Sequence, residues 1–197
     1  AQAQLEGIAT NGTDIWLLDN KQDKVFKYTG AASRLSGSQN AASSFSLNGS
    51  NSNGKDLVTD GTSIWVVNDS STDKVFKYTL SGSLLGSWTI DSTNTAPTGI
   101  TINPANVSDI WIVDNVALKI FQYTGAASRT SGSQNAAATF ALAAGNTNPD
   151  YSLLPLRRRE RFASRLGDPS GCSAVRTTPL PPDAVRIVLR LAGGTSS

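Results

Sequence analysis

The chain has 197 residues, of which 39% are hydrophobic and only 16% are charged. It contains no histidine and a single cysteine, Cys172, so an imidazole-based catalytic triad, a His-ligated zinc site and an internal disulfide are all excluded. Charge divides the chain, because residues 1–150 hold seven Lys and two Arg against twelve acidic residues, whereas residues 151–197 hold eight Arg against three.

The first predicted elements are four short strands. A short run at 7–10 ends at an Asn-Gly turn at 11–13, which is typical of a β-hairpin. A β-branched and aromatic run follows at 15–18, then an alternating run at 25–28 and a fourth run near 44–47. No segment has the 3.6-residue periodicity of a helix, and no apolar run is long enough to span a membrane. These patterns predict an all-β chain.

The same elements recur twice along the chain. The tryptophans Trp16, Trp65 and Trp111 each follow an isoleucine and are 49 and then 46 residues apart. A run similar to Lys-Val-Phe-Lys-Tyr follows each of them, and residues 30–47 return as 125–142 with 14 of 18 positions identical. Four short antiparallel strands in about 48 residues is the size of one β-propeller blade. The period therefore predicts about three four-stranded antiparallel blades.

The repeated pattern resembles a known group of proteins. Gly-Ile-Ala-Thr-x-Gly-Thr-x-Ile-Trp-x-x-Asp, a polar turn and Lys-Val-Phe-Lys-Tyr together resemble the NHL-type repeats of bacterial extracellular β-propellers. The resemblance covers about 7–148 and implies an incomplete ring with blades near 7–55, 56–98 and 99–148. It also implies that the first strand of each blade lines a central channel, and that the loop between the second and third strands opens on one face. We therefore expect a propeller segment at 1–150 in a secreted or cell-surface bacterial protein.

The tail at 151–197 shares nothing with the repeats, and it begins where a fourth blade would be expected. Three interpretations are open. The tail is a basic, disordered arm, or a helix at 155–166 followed by a strand near 185–191, or an out-of-frame translation of GC-rich DNA, which its Arg, Pro and Leu content favours. Nucleic-acid binding is not expected, because the tail has only Tyr151 and Phe162 as aromatic residues for base stacking.

The most polar repeated elements are the loops between the second and third strands, at 19–23, 68–73 and 114–117. Their carboxylates and amides offer the hard oxygen ligands that Ca²⁺ prefers, or a site for a polar ligand at the channel mouth. Alternatively, Asp and Asn cap their own tight turns through bonds to backbone N–H groups, and their repetition favours this interpretation. The candidate ligand-binding residues are Asp19, Asn20, Asn68, Asp69, Asp114 and Asn115, with Asp19, Asp69 and Asp114 as candidate Ca²⁺ ligands.

The repeated aromatic residues are interpreted as packing residues between blades rather than as a carbohydrate-binding stripe. This interpretation covers the tryptophans and also Phe26, Phe76 and Phe121. A catalytic acid or base would instead be an unrepeated carboxylate in a pocket. Glu6 and Asp91 are unrepeated acids, but neither belongs to a convincing constellation. No catalytic residues are predicted.

The sequence thus predicts a non-catalytic extracellular β-propeller module that binds a protein or a polysaccharide. The alternative is a fragment of a propeller enzyme whose site lies partly in further blades. Such an enzyme would resemble either a metal-dependent lactonase or a lyase. No cofactor is expected apart from Ca²⁺ in the loops. Apolar surface at both open ends of the segment makes self-association through the blade edges a further hypothesis. The absence of methionine indicates a processed start or a fragment of a longer protein.

Overall fold

The structure, a computed structural model, describes residues 3–146. The tail at 151–197 and the predicted boundary at residue 150 lie outside the described residues. Between residues 3 and 146 the chain forms strands joined by turns and two single-turn 3-10 helices, and it has no helix that is long and apolar enough to cross a membrane. The elements, in chain order, are β1 (Leu5–Thr10), β2 (Ile15–Asp19), β3 (Lys24–Tyr28), a 3-10 helix (Ala31–Ser33), β4 (Ser43–Ser46), β5 (Gly54–Thr59), β6 (Ser63–Asn68), β7 (Lys74–Thr79), β8 (Leu84–Thr89), β9 (Pro97–Asn103), β10 (Asn106–Asp114), β11 (Lys119–Tyr123), a 3-10 helix (Ala126–Ser128) and β12 (Ala138–Ala141).

The strands form three antiparallel sheets of four strands each, and neighbouring strands in every sheet are consecutive in the chain. Blade 1 contains β1–β4, blade 2 contains β5–β8 and blade 3 contains β9–β12. The first strands of adjacent blades lie side by side, and each sheet runs from this inner strand to an outer fourth strand. This arrangement of β-propeller blades confirms the predicted fold class. The first strands begin two residues before the predicted positions 7, 56 and 99, at Leu5, Gly54 and Pro97.

A β-bulge near the start of each first strand accounts for the earlier beginnings. The register between the first and second strands shifts there by one residue in all three blades. The extra residues are Glu6, Lys55 and Thr98, each followed by the residue that the sequence pattern marked as the first of its blade. A bulge leaves backbone groups outside the regular ladder, so the residues beside it need other hydrogen-bond partners.

The hairpin between the first and second strands is set by an Asx residue and a glycine. In blade 1, Asn11 Oδ1 accepts hydrogen bonds from the N–H groups of Thr13 at 3.1 Å and Asp14 at 2.8 Å. Gly12 has a φ of 89°, which a glycine adopts without strain. Asp60 caps the corresponding turn of blade 2 in the same way. The Asn-Gly turn predicted at 11–13 is therefore present, with a hydrogen-bonded cap.

Two hydrophobic clusters hold the blades together, one between blades 1 and 2 and one between blades 2 and 3. Trp16 and Trp65 are fully buried in these clusters, whereas Trp111, which faces away from blade 2, is only half-buried. A side chain of the repeat is thus buried only where its blade has a neighbour on that side. The repeated phenylalanines follow the same rule, since Phe76 and Phe121 are buried and Phe26 is half-buried.

Blades 1 and 3 have a longer connection before their outer strand than blade 2 has. We call residues 30–42 strap 1 and residues 125–137 strap 3, whereas blade 2 has only a tight turn at 80–83. Each strap begins with a glycine at positive φ, 68° at Gly30 and 70° at Gly125, followed by a 3-10 turn. Strap 3 lies along the outer strand of blade 2. The straps are therefore the main difference between the otherwise similar blades.

Candidate functional site

The loops between the second and third strands lie at one end of the blades, and a buried polar residue begins each loop. Asp19 is 1% exposed, and Asn68 and Asp114 are completely buried. Each is the final paired residue of its hairpin, so its side chain lies at the base of the loop. The loop conformation therefore depends on how these three side chains are bonded.

The Asp19 carboxylate holds the loop of blade 1. Its Oδ1 accepts hydrogen bonds from the backbone N–H groups of Lys21 at 2.9 Å, Gln22 at 3.2 Å and Gln4 at 3.3 Å. Its Oδ2 accepts a hydrogen bond from Gln22 Nε2 at 2.7 Å. Burial raises the pKa of Asp19, but these hydrogen bonds outweigh burial and hold the pKa below its usual value. Asp19 is therefore an ionised group that joins its own loop to the chain entering β1.

The Asp114 carboxylate does the same in blade 3. Its Oδ1 accepts hydrogen bonds from the N–H groups of Val116 at 2.8 Å and Ala117 at 2.6 Å. Its Oδ2 accepts from the N–H groups of Thr95 at 2.7 Å and Ala96 at 3.0 Å. Thr95 and Ala96 lead into β9, so one carboxylate fixes both the loop and the start of the inner strand.

An amide takes the place of the carboxylate in blade 2. Asn68 Oδ1 accepts a hydrogen bond from the Lys74 N–H at 2.8 Å, across the base of the loop. Its Nδ2 donates weakly, at 3.4 Å, to the Ser50 carbonyl oxygen and to Ser70 Oγ. Asn68 therefore closes its loop with fewer and longer hydrogen bonds than the two aspartates make.

The next residue of each loop lies nearer the surface. Asn20, Asp69 and Asn115 are all half-buried. Asn20 Nδ2 donates to Asn53 Oδ1 at 3.1 Å, and Asn53 Nδ2 donates in turn to the Asp69 carbonyl oxygen. These amides connect the loops of blades 1 and 2. The structure thus places the six predicted residues in a row along one end of the blades.

The candidate Ca²⁺ ligands do not form a cluster. Both carboxylate oxygens of Asp19 and of Asp114 face N–H donors, whose dipoles favour an anion and not a cation. Burial raises the pKa of Asp73, and the nearby charges of Asp69 and Asp114 raise it further. Even so, no three His, Cys, Asp or Glu side chains within residues 3–146 have the arrangement of a metal site. Ca²⁺ binding at Asp19, Asp69 and Asp114 stays a prediction without a geometric counterpart there.

An acidic residue on the inner strands was not predicted. Asp56 follows the bulge of β5, at the position that Gly7 and Gly99 occupy in the other blades. Its Oδ1 accepts a hydrogen bond from the Leu57 N–H at 2.8 Å, and its Oδ2 accepts one from the Ile100 N–H of blade 3 at 3.0 Å. Asp56 occupies space that Gly7 leaves open, since a Cβ on Gly7 would come within 2.9 Å of Asp56 Cα. The repeat contains a signal for this residue, because it reads Gly-Ile in blades 1 and 3 but Asp-Leu in blade 2.

The surroundings of Asp56 change its chemistry. Burial raises the pKa of Asp56 from 3.8 to about 6, and the two N–H donors oppose this only in part. A carboxyl group that titrates near neutral pH can exchange a proton under physiological conditions. Because both of its oxygens also bind backbone N–H groups, Asp56 joins the inner strands of blades 2 and 3. Its oxygens are the acceptors for the Leu57 and Ile100 N–H groups beside the bulges of β5 and β9.

Comparison with known proteins establishes the fold without a family. No protein-family model matches the chain, and a search of curated proteins finds no match. Among solved structures, the chain is similar to a glutaminyl cyclase from Myxococcus xanthus, with 11% sequence identity and a TM-score of 0.50, over 67% of this chain and 53% of that one. The chain therefore spans about half the length of this similar structure.

Two further solved structures are similar. One is virginiamycin B lyase from Staphylococcus aureus, with 18% identity and a TM-score of 0.45, over 61% of this chain and 38% of that one. The other is nidogen in a complex with laminin, with 17% identity and a TM-score of 0.46, over 66% of this chain and 52% of that one. From its three four-stranded sheets and its likeness to the cyclase, the chain is a β-propeller segment.

Proposed function

We propose that this chain is a non-catalytic module of a secreted bacterial β-propeller of the NHL type, and that its loop face binds a polysaccharide or a protein. The observation that carries the proposal is the fixed shape of the loops between the second and third strands. Asp19 and Asp114 are buried, and each accepts four hydrogen bonds from its own loop and from the chain that leads into the first strand of its own blade. A loop that is ordered before binding loses little conformational entropy when it binds.

The chemistry of this face suits a ligand rich in hydroxyl and amide groups. The loop of blade 2 presents Ser70, Ser71 and Thr72 to solvent, and hydroxyl groups both donate and accept hydrogen bonds. The half-buried Asn20 and Asp69 lie at equivalent positions of neighbouring blades, so the polar groups repeat along the face. A repeating row of polar groups matches a repeating polymer better than it matches a small molecule.

The test is affinity electrophoresis of the full chain through gels that contain a neutral glucan, a uronic-acid polymer or an amino-sugar polymer. The loop variant carries Asn20→Ala, Asp69→Ala and Asn115→Ala together. The matched control carries Thr13→Ala, Thr62→Ala and Ser108→Ala, at the turns on the opposite end of the blades. We expect one polymer to retard the parent chain and the control, and to retard the loop variant about tenfold more weakly.

The loop face is not the binding site if the polymer retards the two variants equally less than the parent chain, or if it retards the loop variant as strongly as the parent chain. If none of the three polymers retards the parent chain, polysaccharides of these three kinds are excluded as the ligand. The protein ligand would then be tested with the same pair of variants, because the control leaves the loop face intact.

As a second candidate function, the chain is a fragment of a propeller enzyme that resembles either a metal-dependent lactonase or a lyase. This function is favoured by Asp56, an unrepeated carboxyl group on an inner strand with a pKa of about 6. The thermal unfolding of the full chain in Ca²⁺ and in EDTA separates the two functions. A Tm that falls in EDTA in the parent chain, but not in Asp69→Asn, favours the metal-dependent enzyme. An equal Tm in both solutions favours the binding module.

A further inference from the structure

Strap 1 and strap 3 have the same conformation. Each strap is tied to the end of its own third strand by a glutamine side chain. Gln39 Nε2 donates to the Thr29 carbonyl oxygen at 2.8 Å, and Gln134 Nε2 donates to the Thr124 carbonyl oxygen at 2.9 Å. Because these bonds lie within one blade, strap 1 already has the shape that strap 3 has beside its neighbour.

Strap 3 pairs with the outer strand β8 of blade 2. The N–H groups of Ser87 and Thr89 donate to the carbonyl oxygens of Thr130 and Gly132, at 3.0 Å and 2.9 Å. The Gln134 N–H donates back to the Thr89 carbonyl oxygen at 3.0 Å. Strap 3 thus acts as a fifth strand that covers the outer edge of blade 2, an edge that would otherwise be unpaired.

A glycine in β8 makes room for this strap. A Cβ on Gly86 would lie 2.1 Å from the Thr130 carbonyl oxygen, far inside contact distance. Gly86 pairs with Lys77 of the third strand, and the same register position holds Ser43 in blade 1 and Ala138 in blade 3. The outer strands of blades 1 and 3 therefore carry a Cβ where the strap needs space. Of the three blades within residues 3–146, only blade 2 has an outer strand that accepts a strap at this distance.

Among residues 3–146, no blade lies against the side of blade 1 that faces away from blade 2. Leu35 of strap 1, at the position of Thr130, is 99% exposed. Ile8 on β1 is 64% exposed, whereas its equivalent Ile100, which packs against blade 2, is 6% exposed. The face beside strap 1 is a hollow of about 310 Å³, lined by Ile8, Ala9, Thr10, Ile15 and Ala32.

Within the part of the chain that the structure describes, no blade covers the far side of blade 3 either. In blade 1, the Phe45 ring packs against the Tyr78 ring of blade 2, with centroids 5.7 Å apart. The tight turn of blade 2 covers Phe45 so closely that a Cβ on Gly82 would lie 2.2 Å from the ring. The equivalent Phe140 on β12 is 56% exposed. Phe140 therefore fits a neighbour that has a tight turn in place of a strap.

We propose that both open faces of this segment bind the same kind of partner, a four-stranded blade of the blade 2 type. This partner has a tight turn before its outer strand and a glycine at the position of Gly86. Its outer strand pairs with strap 1 as β8 pairs with strap 3, and its tight turn covers Phe140 as the turn of blade 2 covers Phe45. A second copy of the segment fits less well, because β12 carries Ala138 where strap 1 requires a glycine.

The test adds such a blade to the full chain. A second copy of residues 54–96 is placed directly before Leu5, so that the added blade precedes blade 1 as blade 2 precedes blade 3. Hydrogen exchange is measured at the N–H groups of Gln39 and Ala41, which have no acceptor among residues 3–146. We expect their exchange to slow on the order of 100-fold, since a paired edge exchanges only after local opening.

The expected protection follows from strap 3. The N–H groups of its Gln134 and Ala136 donate to the Thr89 carbonyl oxygen and to Asp91 Oδ2, and both acceptors are present in the added copy. Exchange at Gln134 and Ala136 is read in the same molecule, so it reports whether the rest of the chain is folded.

Three control chains make the test decisive. An added copy with Gly86→Val leaves Gln39 and Ala41 unprotected, whereas a copy with Ser71→Val, at an exposed loop position, protects them. A copy of residues 5–53, which carries a strap of its own, gives no protection. Equal protection by that copy, or no protection by residues 54–96, overturns the proposal. Protection in the parent chain that rises with concentration identifies a second copy as the occupant and also overturns it.

Discussion

Strap 1 and strap 3 differ at one of thirteen positions, Leu35 against Thr130, and yet only strap 3 is docked. Ala127 of strap 3 is 5% exposed, whereas the equivalent Ala32 of strap 1 is exposed to solvent. The glutamine that ties each strap to its third strand makes the same hydrogen bond in both straps. In this chain the local sequence sets the shape of a repeat, and the neighbouring blade decides which of its surfaces are buried.

The two surfaces that meet between blades 2 and 3 are equivalent to the two surfaces that are exposed at the ends of the described segment. Substitutions at equivalent positions therefore measure what a neighbouring blade contributes to stability. Four such pairs or series follow, from the largest expected effect to the smallest.

Truncation of the repeated tryptophans gives the largest difference. Trp65 is buried between blades 2 and 3, and Lys77 Nζ lies 4.9 Å from the centroid of its ring. Trp111 is half-buried on the open side of blade 3. We expect Trp65→Ala to lower the free energy of unfolding by about 4 kcal/mol and Trp111→Ala by about 2 kcal/mol, measured by urea denaturation. Equal losses would mean that blade 3 is already covered on its open side in solution.

Substitution of Asp56 tests a position that is acidic in blade 2 and glycine in blades 1 and 3. The pKa of Asp56 is about 6 in the folded chain against 3.8 in the unfolded chain. The extra bound proton therefore stabilises the folded state below about pH 4, and this contribution is lost as the pH rises through 6. Asp56→Asn cannot ionise, so its free energy of unfolding should rise by about 3 kcal/mol relative to the parent between about pH 3 and pH 7.

Urea denaturation of both proteins across this pH range measures the difference. The pKa of Asp14 and of Asp109 is lowered, for Asp14 by Lys27 and for Asp109 by the Gly125 N–H, and this gives stability the opposite pH dependence. That contribution is the same in both proteins and cancels. A difference that does not change with pH would show that the pKa of Asp56 is the same in the folded and the unfolded chain.

Substitution in the outer strands tests the space beneath the strap. Gly86→Val in the parent chain inserts a side chain where strap 3 lies, at a residue whose φ of 154° itself disfavours valine, and we expect a loss of about 2 kcal/mol in urea denaturation. Ser43→Val, at the equivalent position of blade 1, adds a side chain beneath no strap and should change stability by less than about 0.5 kcal/mol. If Ser43→Val costs as much as Gly86→Val, the loss comes from the outer strand itself and not from the strap.

The smallest expected effect comes from a tyrosine hydroxyl between blades 2 and 3. Tyr123 Oη accepts hydrogen bonds from the Asp91 N–H and from Asn94 Nδ2, both at 3.2 Å. Tyr123→Phe leaves these donors without an acceptor and should cost about 1 kcal/mol. The equivalent Tyr28 has no such partner among residues 3–146, so Tyr28→Phe should cost nearly nothing. Thermal unfolding of the two variants measures both, and equal shifts in Tm would contradict this assignment.

The blades could be predicted from the sequence because their signals are local. Alternating apolar residues and the Asn-Gly turn define one hairpin, and the recurrence of Trp16 as Trp65 and Trp111 fixes the blade length. The buried ends of the second strands were also predictable as positions, since Asp19 recurs as Asn68 and Asp114. Their bonding depends on which backbone N–H groups face them, and this follows only from the loop geometry.

Contacts between blades could not be predicted in the same way. Strap 3 binds β8 through backbone atoms, which leave no pattern in the sequence apart from the missing Cβ of Gly86. A role for Asp56 was not predictable from the repeat because this residue departs from it, since the equivalent residues of blades 1 and 3 are Gly7 and Gly99. Its raised pKa depends on burial between inner strands of different blades, which a single blade does not show.

The alternation of Gly86 with Ser43 and Ala138 has a numerical consequence. If every strapped blade follows one with a glycine in its outer strand, and every tight turn covers a strapped blade, the two kinds of blade must alternate. A closed ring of alternating members holds an even number of blades. A gene that gained or lost one blade would place two of the same kind side by side. Such a ring therefore lengthens or shortens by pairs, and the inherited unit is two blades.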